Sequence, residues 1–106
     1  MVELRKSVIR SIATAAVDVT MYTVTALRNF KPETIYVNNR SGAILTVDLY
    51  DGPSATGIWK YRTTIPIGGW DRIPTNELGG LQFETSLVVL NDVQPIDVFV
   101  GGFEEA

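Results

Sequence analysis

Apolar and polar side chains alternate along this chain with a period of two, in short runs, and nearly every run ends at a turn signal. The clearest run is residues 45–50, where Leu45, Val47 and Leu49 face one way and Thr46, Asp48 and Tyr50 the other. Successive side chains of a strand point to opposite sides, so such a run makes a half-buried β-strand and does not gather its apolar residues on one stripe of a helix. Val, Ile and Thr make up 32 of the 106 residues. Branching at Cβ restricts χ1 and suits a pleated strand better than a helix.

The remaining runs follow the same rule. Residues 15–27 place Val17, Val19 and Met21 on one face, but the apolar face switches at Val24, which predicts a bulge or bend. Residues 29–34 read as a connection, because Pro32 has no amide for a ladder. Residues 35–37 form a short strand, and Asn38 to Gly42 a turn. Residues 51–57 are a loop. Residues 58–67 set Trp59, Tyr61, Thr63, Ile65 and Ile67 against Lys60, Arg62 and Thr64. After a Gly68-Gly69 reversal and a loop over residues 75–80, Leu81, Phe83, Leu87 and Val89 share a face. Ile96, Val98 and Val100 define a last strand, which Gly101-Gly102 is expected to break, leaving Glu104 and Glu105 in a charged tail.

Six to eight short strands with a turn signal roughly every ten residues are the rhythm of an all-β sandwich or barrel. No stretch is long enough for a crossover helix, so the expected fold is a single antiparallel β-sandwich. It occupies residues 15–106, and residues 1–14 form an N-terminal arm or edge segment.

Two zeros remove most chemistry: the chain has neither Cys nor His. Ser–His and Cys–His nucleophilic sites, Cys/His zinc sites and disulfides are all excluded. The carboxylate pairs Asp48/Asp51 and Asp71/Glu77 lie in or beside turns, where Asp bonds backbone amides, and no calcium-loop spacing is present. The reading is a non-enzyme with no cofactor and no metal. No apolar run approaches the ~20 residues of a membrane span, and no apolar stretch of a signal peptide follows the first basic residues. The formal net charge is −3, which disfavours nucleic acid as a partner.

Four residues stand out as candidates for partner binding. Arg5, Lys6 and Arg10 form a basic cluster suited to an acidic surface, and Trp70, after two glycines, is expected to be exposed. Trp59 is expected to fill the core.

Residues 35–100 resemble a class of short virion proteins of tailed phages. The matching residues are Val47-Asp48-Leu49-Tyr50-Asp51-Gly52, Gly57, Trp59 and Tyr61, Pro66-Ile67-Gly68-Gly69, and Gly79-Gly80-Leu81-Gln82-Phe83-Glu84-Thr85-Ser86-Leu87. Ser86 departs from the pattern, which commonly has Gly there, and the N-terminal segment is longer. The resemblance implies a jelly-roll-like sandwich located in the virion and assembled in the host cytoplasm. It implies a capsid decoration (cement) protein, or one placed on tails and fibres. The implied partner is the major capsid protein or another virion protein; a small β domain with exposed edge strands also has reason to pair with further copies of the chain, with a trimer favoured. No family active site is carried over. The alternative is a carbohydrate-binding or adhesion module of a tail or fibre that uses Trp70, with Trp59 as a second candidate.

Overall fold

The computed structural model describes residues 3–73 and 81–105. Eight strands form two four-stranded antiparallel sheets, so the chain is an all-β sandwich. The first sheet holds β1 (Glu3–Ile12), β3 (Asn29–Asn39), β6 (Trp70–Arg72) and β8 (Ile96–Glu105), in the order β1-β8-β3-β6. The second holds β2 (Val19–Thr23), β4 (Leu45–Asp51), β5 (Ile58–Ile65) and β7 (Ser86–Asn91), in the order β2-β7-β4-β5. Only the β4–β5 connection stays within one sheet.

The alternating residues supply the core. Ile35 and Val37 of β3 and Ile96, Val98 and Val100 of β8 meet Leu45, Val47 and Leu49 of β4 and Leu87 and Val89 of β7, all almost fully buried. Each such side chain contributes about 1.5–3 kcal/mol by leaving water.

Buried polar side chains fasten the loops. Asn39 donates from Nδ2 to the carbonyls of Ala43 (2.8 Å) and Pro66 (3.0 Å), and its Oδ1 accepts from the Ser41 amide and hydroxyl. Asn91 donates to the carbonyls of Thr14 and Val93, both at 2.8 Å. A buried side-chain amide that satisfies several carbonyls replaces the water those groups would otherwise need.

Several expectations need correction. Residues 29–34 are not a connection but the first half of β3, and the ladder accommodates Pro32 through a register shift between Pro32 and Thr34. Pro within a ladder is tolerated at a bulge, where no amide is required of it. Gly101-Gly102 does not end β8, which runs on to Glu105. Glu104 is therefore not in a solvated tail: it is 0% exposed on the inner face. The strand expected from Leu81 begins only at Ser86, and Phe83 instead makes an isolated bridge to Phe30. Ile67 lies past the end of β5 and is exposed. The bulge anticipated in residues 15–27 occurs as a register shift between Thr20 and Tyr22. The expected loop over residues 75–80, with Glu77 of the second carboxylate pair, lies outside the described residues.

Candidate interaction surface

The outer face of the first sheet is built by register. One cross-strand row runs Ile9–Phe99–Tyr36–Arg72, and the next runs Ser11–Asp97–Asn38–Trp70. Because neighbours in a row are opposite residues on adjacent strands, all eight side chains point the same way. Trp70 leans out of its row and stacks on Tyr36, with ring centroids 5.3 Å apart and planes at 25°. It is 58% exposed, and Ile9 at the other edge of the sheet is 76% exposed. Phe99 lies along its own strand over Gly101, where an added Cβ would meet the ring at 3.3 Å.

Asp97 orders the polar row. It accepts from the Ser11 hydroxyl at 2.6 Å, from Arg40 at 2.7 and 3.2 Å, and from Asn38 at 3.3 Å. The Arg40 guanidinium and the Ser11 and Asn38 bonds hold the Asp97 carboxyl below the usual carboxylate range, against a smaller opposing effect of burial.

The structure does not bring the three basic candidates to one face. Arg5 points outward, its guanidinium 4.4 Å from the Phe103 ring centroid and 3.1 Å from Glu33. Lys6 and Arg10 lie on the opposite side of β1, at the seam with the second sheet, where Arg10 donates to the Thr20 carbonyl at 3.3 Å. Trp70 is at the far edge of the sheet from all three.

That seam contains a cluster the sequence did not suggest. The buried Glu104 carboxylate accepts from the Tyr22 hydroxyl and from the Thr25 amide at 3.2 Å, and Arg28 Nε is 3.9 Å from its other oxygen. Burial pushes the Glu104 carboxyl up, but the Thr25 and Tyr22 hydrogen bonds and the charge of Lys6 outweigh it and hold the group low. The same burial, together with Glu104, pushes the Tyr22 hydroxyl upward. On the second sheet, Trp59 is not a core residue: it is 52% exposed, and its indole N–H donates to Asp48 at 3.0 Å. Asp48 also accepts from Arg62 at 2.7 and 3.3 Å. Burial raises the Asp48 carboxyl, but these bonds to Arg62 and Trp59 prevail and lower it.

Asp48 and Asp51 do not converge. Asp51 is turned away to accept from the backbone of residues 84–86, so the two do not make an acid/base pair. Among the described residues, no group of His, Cys, Asp or Glu is placed to hold a metal ion.

The three lowered carboxyls fix the sign of the pH response. A group whose pKa is depressed in the folded state adds stability above its unfolded value, and that stability is lost as pH falls through the folded value. Thermal midpoints followed by circular dichroism are expected to hold from neutrality to about pH 4 and to fall below it as Glu104, Asp48 and Asp97 take up protons. A midpoint unchanged between about pH 5 and pH 2 would contradict this.

No protein-family model matches the chain, and no curated protein matches it. Among solved structures, it is similar to one of Bacillus endospore appendages, described as a novel family of disulfide-linked pili. The TM-score is 0.61 at 13% identity, covering 98% of this chain and 88% of that one. At that identity the likeness shows the fold alone. A looser likeness, with a TM-score of 0.35 and 11% identity, covers 100% of this chain and 81% of the other. It is to the virus-like particle of the extra small virus of the giant freshwater prawn Macrobrachium rosenbergii, solved by cryo-EM, and it is too slight to carry an argument.

Proposed function

We propose that this chain is a non-enzymatic structural protein of a virion, and within that class a capsid decoration protein that holds neighbouring capsomers together by association alone. The observation that carries the reading is the edge strand β1. It is ten residues long, pairs among the described residues with β8 on one side only, and presents Arg5, Ile9 and Arg10 to the surroundings. A long edge strand offers a row of backbone donors and acceptors to another chain, and a protein that leaves such an edge uncovered has a partner for it or an aggregation problem. Two further features support the reading. The strand orders β1-β8-β3-β6 and β2-β7-β4-β5 make a two-sheet sandwich compatible with the jelly-roll that the virion-protein resemblance implies. A solved structure of similar fold belongs to pili, which are repeating assemblies. This chain has no Cys, so no disulfide joins its copies, and the proposed assembly draws on many modest junctions acting together.

Arg5 and Arg10, exposed on the two sides of this edge strand, are the residues proposed to meet the acidic surface of the capsid, with a trimer as the docking unit. Charge reversal at these two tests this without removing β1, whose Ile12 belongs to the core, and leaves Lys6 in place near the buried Glu104. The expected result is a folded protein that no longer co-sediments with particles. Mass spectrometry of purified virions should find the wild-type chain in numbers comparable with the capsomers. Numbers matching a single tail would refute decoration, and undiminished binding of the double variant would refute the role of Arg5 and Arg10.

A further inference from the structure

We propose that the outer face of the first sheet is a binding site for an acidic polysaccharide, with sugar rings stacked along Phe99, Tyr36 and Trp70 and a carboxylate held by Arg72. This inference does not depend on the decoration role, since its stacking rings and Arg72 lie on β8, β3 and β6 and it uses none of β1's basic residues.

The face has two kinds of surface side by side. Partly exposed rings stand on three adjacent strands; Trp70 and Tyr36 are stacked on each other at 5.3 Å, which covers one face of each and leaves the other for a sugar ring. The polar row beside it is ordered before any ligand arrives, because Asp97 ties Ser11, Asn38 and Arg40 together. A pyranose ring has matching parts: C–H groups on its broad side, which pack on aromatic rings, and hydroxyls around its rim, which need planar hydrogen-bonding groups. The four strands span roughly 14 Å at ordinary strand spacing, room for a short run of rings.

A protein partner fits less well. Protein interfaces centre on a filled apolar patch ringed by polar groups, whereas this apolar row is one residue wide and has a hydrogen-bonded polar row directly alongside.

Charge decides which polysaccharide. Arg72 stands opposite Tyr36 at the end of the aromatic row and has no ion-pair partner among the described residues. Arg40, by contrast, is already paired with Asp97. A guanidinium beside a stacking platform is matched by a carboxylate on the sugar, which it can bind through two parallel N–H bonds.

The test is a tryptophan fluorescence titration with polygalacturonate, alginate and hyaluronan, alongside the same polymers with their carboxyls reduced. Saturable quenching by at least one acidic polymer is expected, and it should persist in Trp59→Phe, which removes the other tryptophan. Tyr36→Ala and Trp70→Ala, checked for folding by circular dichroism, should weaken binding about tenfold or more, measured by calorimetry. Arg72→Ala should erase the preference for the acidic form over the reduced one. Absence of saturable binding to all three polymers overturns the proposal, as does binding that Tyr36→Ala and Trp70→Ala leave unchanged. Sedimentation that shows a dimer dispersed by Trp70→Ala, with no polymer bound, would assign the face to a second copy instead and equally overturn it.

Discussion

Asp51→Ala is expected to lower the stability of the fold by about 2–4 kcal/mol, read from urea or thermal unfolding. Asp51 ends β4, is 7% exposed, and accepts from the amides of Glu84 and Thr85 at 2.9 Å and of Ser86 at 3.2 Å. One carboxylate thus gathers three successive backbone donors and sets the entry of β7. Each donor left without a partner costs about 1–3 kcal/mol when buried. Residues 84 and 85 are exposed, so water takes over part of that loss, which is why the expected total lies below the sum. Asp48→Ala makes the informative contrast. It also removes a carboxylate with several bonds, but Arg62 is largely exposed, and a surface ion pair contributes about 1 kcal/mol or less. If the two variants are equally stable, the backbone clamp is not what holds β7.

The contrast also marks how far the sequence could be read. Asp51-Gly52 is legible as a turn, and the structure has Gly52 at φ 89, but nothing near Asp51 announces that its partners are more than 30 residues away. Trp59 shows a different limit. Alternation puts it on the same face as Tyr61, Thr63 and Ile65, and those three do face inward or toward the core. The pairing of β4 with β5 slips between Leu49 and Tyr50, so that Leu49 meets Tyr61 and Tyr50 meets Trp59, with Lys60 as the extra residue. One inserted residue turns every later side chain to the other face, and Trp59 emerges on the outside. A bulge of this kind has no signature in a run of eight well-formed strand residues. Trp70 was legible for the opposite reason: it follows two glycines and its exposure needs no register. Its partnership with Tyr36 required knowing that β6 pairs with β3, which is a fact of topology rather than of local sequence.

Gly102→Ala is expected to cost about 3 kcal/mol or more, although it adds a single methyl group. A Cβ at Gly102 would stand 2.3 Å from the Lys31 carbonyl oxygen and 2.7 Å from Pro32 Cα, both backbone atoms of the neighbouring strand. No rotamer change relieves such a clash, so β3 and β8 must separate, and Glu104, two residues further on, is pulled from Tyr22 and Thr25. Gly101→Ala is the control. Its Cβ would meet only the edge of the Phe99 ring at 3.3 Å, and a ring at the surface can tilt, so a loss of about 1 kcal/mol or less is expected. The pair explains why two breakers were read as breaks. Pro32 lacks an amide and bulges its strand, and Gly102 lies opposite it and gives that bulge space without a side chain. Each residue alone argues against a strand, and only their juxtaposition makes one. Carrying the parity of Ile96, Val98 and Val100 across the glycines would have placed Glu104 inside. An unfolding midpoint of Gly102→Ala equal to that of Gly101→Ala would mean that β3 and β8 are not in close contact there and that Glu104 is held by other means.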